Sequence, residues 1–424
     1  MSIIAMRPHY VSPAAGPARP VMMWIYLASA ATSMLGNAVA TIVWPWLVLE
    51  RTGNPAAAGV VAAAIAVPSL VVAFLGGHLI DTVGRKPMSI ISDIISGLSV
   101  IGVIIVDQTL GLTMSLFILL GIIGAVGDIP GMAARSALVG DVARTSGRTV
   151  DVIAGLNQSI GGMAWLIGPA LTGFLMAALP VEDVLWITAG CSLVAAALTA
   201  LLRLIPVPAE EVHLDVPDLG ALRSWAEVVR PAPIRLLAAV TLISAALVSP
   251  YLAILMPAHF QSQGQPVQMG IAMSAYAVGI MISGAVVAAR GTQRRRTLWA
   301  VAMLFYLLGF SLMAALGHTA LVIVGMAVAG LGGGLIGPLQ MVLVTEETPE
   351  QLRGRAFSVF MAIGQFAAPI GLIAATGLLT QVSIYTTAVV LAVVWAVIAV
   401  WATWRGVRVL RPPGEGAATT GQVH

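Results

Sequence analysis

Of the chain's 424 residues, 59% are hydrophobic and only 9% are charged, and the mean hydropathy is +0.97. A soluble domain carries about a quarter charged residues, so this composition excludes an ordinary water-soluble fold and calls for helices that cross the ~30 Å hydrocarbon layer of a membrane. The formal charge of +3 is no argument for a nucleic-acid partner, and the single cysteine, Cys191, excludes an internal disulfide and argues against a thiolate metal site.

Residues 1–20 are polar and lack the short apolar core and small-residue cleavage site of a signal peptide, so they are expected to be an N-terminal tail. Apolar runs of helical length follow near 21–49, 55–79, 88–106, 111–135, 150–178 and 183–203, giving a first six-helix bundle over 21–203. The segment 204–233 contains "PVPAEEVHLDVPDLGALRSWAEVVRPAP" and is expected to be a linker with a short amphipathic helix around Leu219–Val229. Runs near 234–257, 267–289, 297–316, 319–344, 356–380 and 384–404 make a second bundle over 234–404, and 405–424 is a tail. The predicted fold is an all-α membrane protein of twelve spans in two bundles.

With an even number of spans, both termini share one side. Of 21 Lys and Arg residues only Arg51 falls opposite them, so the termini and the linker are expected on the cytoplasmic side of a bacterial inner membrane. Trp44 and Trp46 sit where an interfacial aromatic belt is expected. A shift of 207 residues lays Gly77 and Gly84 on Gly284 and Gly291, and Gly147-Arg148 on Gly354-Arg355. Two halves in the same orientation form a parallel repeat, an arrangement that binds cargo between the halves near the midplane and works by rocking.

The turn after span 2, "GGHLIDTVGRKP", gathers Asp81, Arg85 and Lys86 among glycines. Asp93, in the first turns of span 3, is placed to accept a hydrogen bond from Arg85 or Lys86. Two readings stand: a charge latch between the halves, or an ordinary topogenic turn whose solvated ion pairs contribute ~0–1 kcal/mol each. In span 4, Asp128 is the only acid well inside a hydrophobic run, about 10 Å from the predicted end of the span, with Arg135 seven residues on. An acid there is by default functional. It could carry protons, pair structurally with Arg135, or touch cargo. In span 5, "GLNQSIGGMAWLIGPALTG" places Gly155, Ala164, Gly168, Pro169 and Gly173 at spacings that favour close helix packing and a bend, although Gly and Pro are also simply common in membrane helices. Asn37, Asn157, Gln158, Tyr251, Tyr276 and Gln365 are polar groups in apolar runs, suited either to a largely hydrophobic substrate cavity or to bonds between neighbouring helices. There is no GK[ST] phosphate loop, no metal-ligand spacing among His78, His259 and His318, and no nucleophile–base constellation, so neither an enzyme nor a resident cofactor is expected.

"GHLIDTVGRKP" resembles the signature turn of the major facilitator superfamily, roughly G-x-x-x-D-x-x-G-R-[RK], with Gly77, Asp81, Gly84, Arg85 and Lys86 in its main positions. The second copy, "GAVVAARGTQRRR", has Ala288 in place of the acid. "WPWLVLERTGNP", "RGRAF" with Arg355, and "QPVQMG" resemble drug/proton antiporters of the third group, the macrolide-efflux type and its actinobacterial tetracycline/aminoglycoside relatives. The span 5 pattern is similar to the antiporter motif, with Ala164 and Thr172 where glycines are usual. The resemblance implies export of small lipophilic or cationic compounds in exchange for protons, by a chain acting as a monomer among membrane lipids. It implies a gate at the signature turn and draws interest to Arg135, since the family often has a functional arginine in span 4. Uptake of a metabolite and flipping of a lipid or lysolipid are the alternatives on the same fold.

Overall fold

The structure, a computed structural model, describes residues 18–205, 228–348 and 352–410, apart from the side chains of 74–78, 81, 354 and 355. Most of the expected linker, including residues 219–227 of the helix expected at Leu219–Val229, and most of both tails lie outside the described residues. Twelve helices are long and apolar enough to span a membrane, and no strand occurs among the described residues. The first six are α1 (Val21–Thr52), α2 (Pro55–Val83), α3 (Arg85–Thr109), α4 (Met114–Ser146), α5 (Val150–Ala178) and α6 (Val181–Ala200). The second six are α7 (Ala232–Ser262), α8 (Pro266–Arg290), α9 (Arg295–Met313), α10 (Thr319–Glu347), α11 (Arg353–Leu379) and α12 (Ile384–Val409).

Local chemistry sets the breaks. Gly53 closes α1 in the left-handed conformation, Asn54 caps α2 by accepting a hydrogen bond from the Ala56 N–H at 2.8 Å, and Pro55 occupies the first turn of α2, where its missing donor is harmless. Within α7, Pro250 has no N–H to offer the Ala246 carbonyl, and the next five residues, Tyr251–Leu255, form a π turn.

Two helices run beyond their apolar stretches. α4 was expected to end near residue 135 but continues to Ser146. Leu138, Val139, Val142 and Ala143 bury against Met22, Met23, Tyr26 and Leu27 of α1 and Ile153 of α5, so tertiary packing extends the helix past the hydrocarbon-like sequence. α12 likewise continues to Val409, with the Arg408 guanidinium 3.9 Å from the centre of the Trp404 ring.

Packing repeats between the halves. α1 lies on α5 and α6, α2 on α4, and α3 on α4 and α6; raising each number by six gives the neighbours of the second half. The halves meet through α2 with α11 and α5 with α8. One end of the molecule carries Arg85, Lys86, Arg144, Arg148, Arg290, Arg294–Arg296 and Arg353, and is called the basic end; the other is the far end.

At the far end the halves are sealed by close backbone approach. A Cβ at Gly173 would stand 2.5 Å from the Pro266 carbonyl oxygen, and one at Gly270 2.3 Å from that of Pro169. The Ala170 N–H donates to Ser274 Oγ at 3.2 Å. On the other flank, Ala62, Ala63 and Ala66 of α2 pack with Leu372 and Ala375 of α11 and Ile254 of α7. Toward the basic end the same faces continue into exposed positions. On α5, Asp151, Gly155, Ser159 and Gly162 follow Ala170 and Gly173 at helical spacing, and Asp151, Gly155, Ser159 and Gly162 include exposed positions for two turns and more. On α11, Gln365 and Met361 continue the face of Thr376 and are exposed, Met361 by 74%. A vestibule therefore opens between the halves at the basic end.

In a Cys191→Ala background, Gly155→Cys and Met361→Cys are expected to react with a membrane-impermeant maleimide from the basic end at least 10-fold faster than Ala170→Cys, which lies in the seal. Equal rates would show that the vestibule is not open.

Candidate functional site

The polar centre of the first half is built from α3. Ser89, Ser92, Ser96 and Ser99 recur at three- and four-residue steps, which places them with Asp93 along one buried side of the helix. α4 can approach closely there because Gly127 and Gly131 lie against Ser92. Arg135 of α4 donates through Nη2 to Asp93 Oδ2 at 2.6 Å and through Nη1 to Ser29 Oγ at 2.7 Å. Ser33 donates to the other Asp93 oxygen at 3.0 Å, and Ser29 donates to the Ala195 carbonyl at 3.0 Å with Thr199 Oγ1 2.7 Å away. The Tyr26 hydroxyl lies 3.0 Å from the Arg135 carbonyl and 3.2 Å from Asn157 Oδ1. Arg135 is 4% exposed and Asp93 6%, so each charge depends on the other.

This corrects two expectations. Asp93 does not take Arg85 or Lys86, because α3 turns it toward α1 and α4, where Arg135 reaches it. Arg135 does not pair with Asp128: its guanidinium is engaged by Asp93 and Ser29. Asp128 is part-buried beside the Ser96 hydroxyl, with the Asp93 carboxylate nearby. α4 continues to Ser146, but its hydrocarbon-like sequence still ends near residue 135, so Asp128 lies about 10 Å inside that end of the apolar stretch. Two acids and one base thus share the α3–α4 seam.

At the basic end, Gly84 joins α2 to α3 with φ +93°, a conformation that favours glycine. Arg85 pairs with Asp141 of α4 at 3.3 Å, and Arg144 pairs with the same carboxylate. Lys86 donates to the Ala200 and Leu202 carbonyls at the end of α6, at 2.9 and 2.7 Å, where a helix terminus favours a cation. Arg148 is exposed. The surroundings of Gly77 and the side chains of Asp81 and Arg355 lie outside the described residues. The second half repeats the device: Arg295 of α9 pairs with Glu346 of α10 at 2.6 Å, and Arg296 donates to the Leu410 carbonyl beyond α12 at 2.7 Å. These residues match Arg85 and Lys86 at a shift of 210, not 207, because Thr292–Arg294 are inserted after Gly291. Among the described residues no ion pair joins the two halves.

The span 5 motif lies at the junction of three helices. Gly168 lets α1 approach, a Cβ there meeting that of Ala38 at 2.6 Å. Pro169 and Gly173 abut α8, whereas Gly155 faces open space and Ala164 is half-buried. Of the polar residues expected in a cavity, Gln158 and Gln365 are exposed toward the basic end and Asn37 is half-buried. Asn157 is tied to Tyr26. The two tyrosines belong elsewhere. Tyr251 is fully buried, donates to the Ala388 carbonyl at 2.8 Å and packs edge-on against Phe310. Tyr276 hydrogen-bonds Tyr306 inside the second bundle. Both phenols satisfy their hydroxyls between helices, as buried tyrosines must.

Residues missed in the sequence include Ser29, Ser33, Tyr26, Asp141, Arg144 and Glu346. The serine stripe of span 3 and the Asp141–Arg144 spacing were available signals; the partners across helices carry no local signature. Far-end Arg51 holds Asp107 at 2.6 Å and Glu182 at 3.0 Å, joining α1, α3 and α6. Among the described residues no group of three His, Cys, Asp or Glu side chains could hold a metal ion.

Arg135→Met, which strands a buried carboxylate, is expected to destabilise the purified protein by about 3–5 kcal/mol, and Asp93→Leu/Arg135→Met to recover most of that loss. Thermal unfolding in detergent measures both; additive losses in the double variant would refute the coupling.

The Major Facilitator Superfamily model matches residues 26–289 and 237–422. The chain is 29% identical over 373 residues to the multidrug efflux pump Tap of Mycolicibacterium fortuitum, covering 86% of this chain and 90% of the relative. It is 30% identical over 389 residues to the Tap pump of Mycobacterium tuberculosis, covering 89% and 90%. The crystal structure of the nucleoside transporter NupG superposes with a TM-score of 0.71 at 15% identity, covering 92% of this chain and 99% of that one, which speaks for the fold alone. Twelve spans, a paired-half architecture and a family match over most of the sequence lead to one assignment: this chain is a multi-pass membrane protein belonging to the major facilitator superfamily.

Proposed function

We propose that the chain exports small lipophilic or cationic compounds across a bacterial inner membrane in exchange for protons, with the basic end and both termini cytoplasmic. The observation that carries the reading is a vestibule sealed at the far end and open at the end where positive charge accumulates. Similarity to efflux pumps over most of the chain supports drug-like cargo. The vestibule-facing positions Gly155, Gly162, Gln365 and Met361 offer a few polar groups among small and apolar ones, suited to adaptable recognition. Because both walls come from one chain, a monomer is sufficient.

Coupling is assigned to Asp128 with Asp93 and Arg135. If both acids are ionised the trio carries a net negative charge; with one proton bound it is neutral, and burial in a low-dielectric span favours the neutral trio. A proton gained from one side and lost to the other would redistribute Arg135 between the carboxylates and shift α3 against α4. A proton moving inward supplies about 2.3 kcal/mol per 100 mV of membrane potential, in addition to the pH term. The signature-turn residues Gly77, Asp81, Gly84, Arg85 and Lys86, together with Arg148 before α5 and Arg355 at the start of α11, are assigned to the gate at the basic end, which closes as the far-end seal opens, while Asp93, first grouped with them, is tied to Arg135.

Asp128→Asn is expected to lower proton-driven ethidium efflux at least 10-fold in everted vesicles while leaving the protein folded and able to bind ethidium. Wild-type efflux by this variant under an imposed pH gradient would remove Asp128 from the mechanism. Failure of the wild-type protein to move ethidium or any other lipophilic cation would remove the export reading itself.

A further inference from the structure

On the flank of the second half, α8 and α9 part toward the basic end and leave a groove of about 740 Å³ over Leu331 and Leu335 of α10. The groove does not face the vestibule. α8 meets α5 through Gly270 and Ser274, whereas Val286, midway along the groove, is sixteen residues on from Gly270 and so lies about 160° round the helix. The opening is therefore toward the surrounding membrane.

Its walls are apolar, formed by Ile282, Val286, Leu298, Val301 and Phe305, and its mouth holds Arg290 and Arg294. From Arg294 to Phe305 is about 16 Å along the helix, close to half of the ~30 Å hydrocarbon thickness, so the groove is one leaflet deep. No acid lines it. The charges at the mouth differ from those beside them: Arg295 is paired with Glu346 and Arg296 with the Leu410 carbonyl, while neither Arg290 nor Arg294 makes an ion pair among the described residues. An apolar slot of leaflet depth with two uncompensated guanidiniums at the headgroup level matches one class of ligand.

We propose that this groove binds one anionic phospholipid of the basic-end leaflet, with an acyl chain between α8 and α9 and its phosphate on Arg290 and Arg294. Planar guanidiniums suit phosphate oxygens, and Gln293 and Thr297 line the same mouth. The inference does not depend on the direction of transport or on the coupling residues.

The test uses the purified full chain, delipidated in detergent, offered equal amounts of phosphatidylglycerol and phosphatidylcholine, with retained lipid counted by native mass spectrometry. The wild type is expected to keep one phosphatidylglycerol with at least a 10-fold preference. Arg290→Gln/Arg294→Gln is expected to bring the preference below about 2-fold, and Arg290→Lys/Arg294→Lys to keep much of it. Val286→Trp, which leaves both arginines but fills the slot, is expected to lose the bound lipid. Equal retention of the two lipids by the wild type, or unchanged retention in the glutamine double variant, would overturn the proposal. So would phosphatidylglycerol held normally by Val286→Trp, since that result would mean adhesion to charge without a groove.

Discussion

A charge placed inside a membrane span has to be answered by the protein itself, and in the first half that requirement is met at Asp93 and Arg135. Their 2.6 Å contact lies between α3 and α4, but the bonds that complete it come from elsewhere: Ser29 and Ser33 of α1, the Ala195 carbonyl and Thr199 of α6, and, through Tyr26, Asn157 of α5. Five helices are registered by one guanidinium and one carboxylate. Such a network fixes relative helix positions more sharply than apolar contact, because in hydrocarbon the alternative partners are lipid tails.

The second half follows the same path with different chemistry. Its centre is an aromatic cluster in which Tyr251, Tyr306, Phe310 and Trp395 meet edge-on or tilted at centroid distances of 5.4–6.4 Å, and α8 and α10 touch through Gly279, Gly330 and Gly334. Only at the basic end do the halves agree in detail, where Arg85 and Lys86 are matched by Arg295 and Arg296. In each half one base ties the third helix to the fourth and the next base covers the carbonyl end of the sixth. The turn thus anchors each half internally. A half whose mobile parts are tied to itself can move as a body, which is what rocking requires. The two centres differ in kind: the first is held by buried charges and hydrogen bonds, and the second by aromatic and close glycine packing.

The number of spans, their paired halves and the family were legible because each is written locally: hydropathy in windows of about twenty residues, arginines sorted to one side, and the Gly77–Lys86 turn. What lay across helices was not. Arg135 has Asp128 on its own helix, and only the packing of α3 shows that Asp93 takes it. Tyr251 and Tyr276 look like cavity residues in an apolar run, yet a phenol is equally served by a carbonyl or a second phenol on a neighbouring helix. The end of α4 was misplaced by eleven residues because hydropathy marks where lipid ends, whereas Leu138–Ala143 remain helical by packing on α1 and α5. The internal repeat was found at one offset, and the three residues inserted after Gly291 hid the counterparts of Arg85 and Lys86.

The far-end closure is made of glycines and alanines against backbone, with a hydrogen bond from the Ala170 N–H to Ser274 Oγ between α5 and α8. In lipid, such surfaces associate through close van der Waals packing, with little polar bonding to lock them. Each orientation of a rocking carrier is populated according to its free energy relative to the other. A guest that favours one over the other by only about 1.4 kcal/mol would change their ratio tenfold, so weak and chemically varied guests have enough leverage to turn the cycle. Breadth of cargo, in this view, comes as much from a balance that tips easily as from the shape of any binding pocket.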